Sequence, residues 1–381
     1  MKYSQILPDE KLQKTDKILF LIHLAIGDYT YMQNMFRAFK QKYPHINIDL
    51  FILENRCTSD ESKWPALKNY VIYDWLETCG FYNKIYRKNY APQFLEESIQ
   101  EARHAQYPIV VTLGTLQDEQ TEKLGRRIAG DQGLLVGLKI PLKWYRFKHH
   151  LIKRPSWKVL DLAFYSKPLK KGEHISAVYN SWAEQLAGVT LTYEERLPFV
   201  KIPEEWQKNA RRDLDKLKNL SDIQLKDHSK LIFINYLAKD PKRSWLLKQA
   251  LELVQLLQSE DQLKDTIFLI NTLPEFKLQV TESIQQKDLK NCYAFSATKN
   301  FYQLPAMLEL SDLIISVETS IIHLANAVKT PVIALMRQKT PQWVPLDKSI
   351  STVIWVSKKK DNIDSISPIL VAQETFKTLN I

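Results

Sequence analysis

The sequence predicts an α/β protein built as two Rossmann-like halves, each around a parallel sheet. Three observations carry this. Short runs rich in Ile, Val, Leu and Phe alternate along the chain with stretches whose apolar residues recur at helical spacing, the signature of β-α-β units. The runs are continuously apolar rather than alternating, as expected of parallel strands covered on both faces. With 381 residues the chain is long enough for two cores, and Gly188–Ile202 reads as a linker between them.

In chain order, residues 1–16 are polar and read as a loose arm. Lys17–Ile26 reads as a strand, Gly27-Asp28 as its turn, and Tyr29–Tyr43 as a helix ending before Pro44. Ile46–Leu53 reads as the second strand. Trp64–Trp75 and Tyr107–Gly114 are further strand-like pieces. Glu173–Leu186 reads as an amphipathic helix and Glu204–Leu220 as a charged one. The second half alternates again: strand Leu231–Tyr236, helix Trp245–Leu257, strand Thr266–Asn271, helix Glu275–Gln285, strand Cys292–Phe295 and helix Phe301–Leu310. Domains are expected at 1–190 and 191–381, with the last helix reaching back to the first domain.

Composition narrows the function classes. Hydrophobic residues make up 45% and charged residues 25%, ordinary globular values. Net charge is +10, which suits an anionic partner: nucleic acid, an anionic membrane or a phosphorylated substrate. Three widely spaced cysteines fit neither a disulfide framework nor a zinc site and suit a reducing cytoplasm. No apolar run reaches the roughly 18–20 residues that span a bilayer, and Ile18–Ile26 lacks a signal-peptide cleavage site. The chain has only 9 glycines and neither GxGxxG nor GxxxxGK[ST], so a dinucleotide fingerprint or a Walker loop is not expected. Lys139–Lys171 holds ten Lys/Arg against one acidic residue, with six interleaved aromatics.

The chain's polar chemistry concentrates in Leu313–Leu335. Leu313–Val317 reads as a buried strand, Ile321–Val328 as a helix that Thr319 or Ser320 can cap, and Val332–Leu335 as the next strand. Polar residues thus gather where a strand's carboxyl end meets a helix N-terminus, the usual ligand position in open α/β sheets and one that favours anions. His323 lies in the first helical turn.

Four stretches, in order, resemble glycosyltransferase family nine, the bacterial lipopolysaccharide heptosyltransferases. They are ILFLIHLAIGDYTYMQNMFRAFKQKYP (18–44), DPKRSW (240–245), LINTLPE (269–275) and VETSIIHLANAVKTPVIAL (317–335). The resemblance implies a GT-B fold, two facing domains with a cleft between them, the acceptor on the first and the nucleotide-sugar on the second. It further implies metal-independent, inverting transfer of heptose from an ADP-activated donor to the lipopolysaccharide inner core, at the cytoplasmic face of the inner membrane. No cofactor is expected. The chain departs from the family pattern at Glu318, where Asp is usual, at Ser320, where Gly is usual, and by one extra residue in KRSW.

Each candidate residue has a plainer alternative. Asp28 suits the general base that takes the acceptor hydroxyl proton; it equally suits a helix cap. Lys242 and Arg243 suit the leaving diphosphate or a solvated basic loop. Thr319, Ser320 and His323 suit the donor phosphates, while His323 also suits a packed core position. Glu275 and Glu318 suit the donor's hydroxyls, or respectively a helix start and a solvent-facing strand end. Gly27, Lys143, Arg146 and Lys148 are the acceptor-side candidates. The basic-aromatic segment reads as an acceptor and membrane face, as a solvated face with inward aromatics, or least of all as a single-strand nucleic-acid surface; no nucleic-acid partner is expected.

Overall fold

The computed structural model describes residues 4–54, 56–113, 119–139, 159–219 and 229–381. It divides into two compact units, Met1–Arg196 and Leu197–Ile381. The division falls between Arg196 and Leu197. It lies past residue 190 because the short helix Tyr193–Arg196 is held on the helix Ile26–Lys42. There Asn34 Nδ2 donates to the Arg196 carbonyl at 3.0 Å and Arg37 Nη2 to that of Glu195 at 2.9 Å.

The first unit contains a six-stranded parallel sheet. Its strands are β1 Lys17–Ile22, β2 Asn47–Ile52, β3 Tyr82–Tyr86, β4 Ile109–Thr112, β5 Leu134–Lys139 and β6 Leu162–Tyr165, in the order β3-β2-β1-β4-β5-β6. The second has β7 Leu231–Asn235, β8 Ile267–Asn271, β9 Cys292–Phe295, β10 Leu313–Val317, β11 Val332–Met336 and β12 Ser351–Trp355, in the order β12-β11-β10-β7-β8-β9. Each order is the doubly wound Rossmann arrangement, reversing direction once. The switch points are β1/β4 in the first sheet and β7/β10 in the second.

Continuous apolar runs become these strands because both faces are covered. Ile232, Ile234, Phe268, Ile270, Ile315 and Val317 form one core layer with Leu251, Val254, Val280, Ile284 and Val371 of the flanking helices. Their neighbours in the strands, Phe233 and Ile314, are equally buried. Each such side chain contributes roughly 1.5–3 kcal/mol by leaving water.

Three expectations are corrected. Of the expected loose arm, residues 4–16 are not loose: Leu7 and Leu12 are buried, and the Ile6 amide donates to the Gln185 carbonyl at 2.8 Å. Trp64–Trp75 is helical, as Trp64–Lys68 and Ile72–Thr78. Pro65 starts the first, and Ile72, Trp75 and Leu76 fall on one buried helical face. Gly27-Asp28 is not a turn but the first turn of the helix Ile26–Lys42, since Gly27 is not needed at positive φ. The strands β3, β5, β6 and β12 are additions: β6 is short, β3 and β12 carry polar residues, and β5, LLVGLK, is apolar. The last helix, Pro368–Leu379, packs on the helix Leu247–Gln258 and on β11 and β12 of its own unit.

Candidate functional site

In the first unit the site is built on the helix that follows β1, beside the switch point. That helix begins at Ile26 after Ala25, with no side-chain cap, and Asp28 lies in its first turn, where a carboxylate meets the positive end of the helix dipole. Asp28 is half-buried. The hydroxyl of Tyr179, from the helix Ser176–Ala187, donates to its Oδ1 at 2.8 Å. The two helices pack together, so the tyrosine is buried as well. Burial pushes the Asp28 carboxyl up from its ordinary range; the Tyr179 hydrogen bond and the charge of His23 act against that, and burial prevails. The capping alternative does not hold, since the cap position is Ala25.

Other groups surround this carboxylate. The ring of His23 meets the carbonyl of Leu53 through Nδ1 at 3.0 Å; a carbonyl only accepts, so that nitrogen carries the proton. Tyr70 is within electrostatic reach of Asp28. Arg56 lies 4.8 Å over its ring and makes a two-pronged pair with Glu54, both bonds 2.6 Å. Gly27 is half-buried beside Asp28. Lys143, Arg146 and Lys148 lie outside the described residues. Of the basic-aromatic segment, β6 is described: Phe164 points inward and Tyr165 outward, 52% exposed.

In the second unit the strands β8, β7 and β10 carry a polar row in register: Asn271 pairs with Asn235, and Asn235 with Ser316. Asn271 Nδ2 donates to Asn235 Oδ1 at 2.9 Å. Asn235 Nδ2 in turn reaches Ser316 Oγ at 3.0 Å and Thr319 Oγ1 at 3.2 Å. Thr319 caps the helix Ser320–Ala327, accepting from the Ile321 amide. The row therefore crosses the switch point and fixes the loop between β10 and its helix. Ser320 is half-buried as the first helical residue.

Glu318 is not a solvent-facing strand end. Its side chain is 8% exposed, Oε1 accepts from Thr340 at 2.7 Å, and Oε2 accepts from the Arg337 backbone amide at 3.3 Å. His323 is buried with its ring 5.8 Å from that of Trp343, the packed arrangement. Asp240 caps the short turn Pro241–Arg243 by accepting from the Lys242 amide at 3.0 Å. That turn presents Lys242 exposed and Arg243 half-buried. Glu275 is exposed in the turn Pro274–Phe276. The structure thus gathers Thr319, Ser320, Glu318 and Arg243 around the carboxyl ends of β7, β10 and β11. Among the described residues no group of three or more His, Cys, Asp or Glu is arranged to hold a metal ion.

Sequence reasoning missed Tyr179, Asn235, Ser316, Asp240, Arg337 and Thr340 as participants. One signal was available: β7 and β8 read LIFIN and IFLIN, two apolar strands each ending on an asparagine.

Two doubly wound parallel sheets, each with polar groups at the carboxyl ends of its switch-point strands, are the fold of the GT-B class. Residues 160–367 match the model of glycosyltransferase family 9 (heptosyltransferase), and the chain belongs to that family. Solved structures share the fold along nearly its whole length. A glycosyl transferase family 9 protein from Veillonella parvula is 16% identical with a TM-score of 0.69, covering 96% of this chain and 97% of that one. E. coli ADP-heptose lps heptosyltransferase II is 15% identical with a TM-score of 0.65, at 96% and 98% coverage. E. coli heptosyltransferase WaaC with ADP is 11% identical with a TM-score of 0.62, at 96% and 98% coverage. No curated protein matches the chain.

Proposed function

We propose that this glycosyltransferase is an inverting enzyme that moves a heptose from an ADP-activated donor to an inner-core sugar of lipopolysaccharide. Asp28 serves as general base. The acceptor hydroxyl oxygen attacks the anomeric carbon, the bond from that carbon to the phosphate oxygen breaks, and the nucleoside diphosphate leaves. The hydroxyl proton passes to Asp28. The observation that carries this reading is the Asp28 carboxylate at the first sheet's switch point, held by Tyr179 and made more basic by burial. In the second unit Arg243, Lys242, Thr319 and Ser320 receive the donor diphosphate, with Glu275 and Glu318 toward its hydroxyls. His323 supports the phosphate-binding helix from within. The E. coli relative solved with ADP supports the adenine nucleotide.

The reaction takes place in the cytoplasm, on an acceptor anchored in the inner face of the inner membrane, and it uses no metal or cofactor. Among the described residues no helix is long and apolar enough to cross a membrane. A second reading, a different nucleotide-sugar, is favoured by Glu318, already engaged by Thr340 and Arg337. Calorimetric titration with ADP, UDP and GDP separates the two, since the first reading requires selective ADP binding. Asp28→Asn should lower turnover by roughly two to four orders of magnitude with nucleotide affinity retained. Undiminished turnover refutes the assignment of the base.

A further inference from the structure

The carboxyl ends of β7 and β11 carry a charge arrangement that neither the family resemblance nor the proposed base explains. Two guanidinium groups converge on one oxygen. Arg243 Nε lies 3.9 Å from Asp240 Oδ2, and Arg337 Nη1 lies 3.7 Å from the same atom. Both distances are close enough for ion pairing and too long for a hydrogen bond. Arg243 Nε is buried with no hydrogen-bond partner, although a buried donor normally has one. Arg337 is only 11% exposed, and its Nε reaches Glu318 Oε2 at 3.5 Å, the outer limit of such a bond. Asp240 is the more accessible member, at 41% exposed, and its Oδ1 is committed to the Lys242 amide.

A guanidinium fork makes short, paired hydrogen bonds to a carboxylate or phosphate when geometry permits. Here two forks share one carboxylate oxygen and neither closes on it. A ligand with more oxygens would satisfy both sets of donors. A phosphate group offers oxygens enough for both, and Arg337 is tied through Glu318 to the β10 loop, where Thr319 caps the next helix.

We propose that Arg337 is a second cation of a diphosphate-binding seat shared with Arg243, and that Asp240 is its resident counter-ion, displaced when the diphosphate binds. This rests on the reading of the second unit as the donor-binding half. Asp240 serves two purposes. Its Oδ1 holds the turn that carries Arg243, and the charge on Oδ2 keeps the two guanidinium groups together until the ligand arrives.

The test is calorimetric titration of the full chain with inorganic pyrophosphate and with ADP, UDP and GDP, in wild type, Asp240→Asn and Arg337→Gln. Asparagine keeps the capping oxygen and removes the competing charge. Asp240→Asn should therefore tighten pyrophosphate binding about threefold to tenfold, and Arg337→Gln should weaken it about tenfold or more, both effects shrinking as salt is raised. Asp240→Asn guards against the possibility that Arg337→Gln loosens the Glu318 loop, because a merely structural Asp240 gives unchanged or weaker binding when altered. That result, with wild type binding normally, overturns the inference and leaves the donor reading standing. Pyrophosphate binding that responds to both variants while no nucleotide binds supports the seat and overturns the nucleotide assignment. Absence of all binding to wild type overturns both.

Discussion

Replacing Tyr179 with phenylalanine removes the hydroxyl that donates to Asp28 and little else, because the ring remains packed 5.2 Å from that of Trp182. A hydrogen bond to an ionised group stabilises the charged form by roughly 1.5–3 kcal/mol. Tyr179 thus favours the carboxylate, while burial opposes it. Without the hydroxyl, burial acts with only the His23 charge and the residue's own amide against it, so the carboxyl becomes harder to ionise. At 1.36 kcal/mol per tenfold, the ionised fraction on the acid side of the profile should fall by about tenfold to a hundredfold. The other groups facing Asp28, His23 and Tyr70, are unchanged by the substitution. The assay is kcat/KM for nucleoside diphosphate release, followed from about pH 5 to about pH 9. The acid limb should move to higher pH, with the plateau less affected and nucleotide affinity unaltered. An acid limb that superimposes on wild type, or moves to lower pH, refutes the reasoning.

Other consequences are equally open to measurement. Asp28→Asn should raise the melting temperature in neutral buffer: a carboxyl whose folded pKa is raised stabilises the fold at low pH and loses that stability as pH rises through its folded value. The gain should vanish in acid, and melting curves at several pH values check it. Asn235→Ala leaves Asn271 Nδ2 without its acceptor and frees Thr319, which should cost about 1–3 kcal/mol in denaturant unfolding and weaken nucleotide binding. The Asp9 carboxyl is held down to about 2 by hydrogen bonds from Gln5, Tyr43 and Lys42. Its support for the N-terminal arm should therefore persist above the ordinary carboxylate range and disappear as pH falls through about 2, seen as faster hydrogen exchange at residues 6–15. At neutral pH the same amides should exchange slowly, since Leu7 and Leu12 are buried.

Much of the architecture was legible because its cause is local. Continuous apolar runs such as Leu313–Val317 and Cys292–Phe295 declare buried parallel strands, and those two have the observed bounds. Of the strands that escaped, Tyr82–Tyr86, Leu162–Tyr165 and Ser351–Trp355 lie at sheet edges, where one neighbour is missing and polar residues are tolerated, whereas Leu134–Lys139 is interior, paired with β4 and β6. Trp64–Trp75 misled because aromatic content favours strands while the spacing of Ile72, Trp75 and Leu76 is helical. At the site, residues within one motif were visible: Thr319 as a cap, and Asp28 as a carboxylate at the first strand–helix junction. Tyr179 and Arg337 were not. The tyrosine meets Asp28 across 151 positions of chain and the arginine meets Glu318 across 19, and no local pattern encodes such a meeting.

The Asn271–Asn235–Ser316 row has a consequence for how the second sheet assembles. Parallel strands of nearly uniform aliphatic character offer few features by which one alignment excels over another, and a shift by one position sets neighbours against the wrong face. Asn235 and Ser316 are fully enclosed, so displacing either strand would strand a carboxamide or hydroxyl among hydrocarbons, each costing about 1–3 kcal/mol. Mispaired arrangements are thereby penalised during folding, when these slow, non-local pairings form. The amides act as alignment pins for the sheet as well as anchors for its loop.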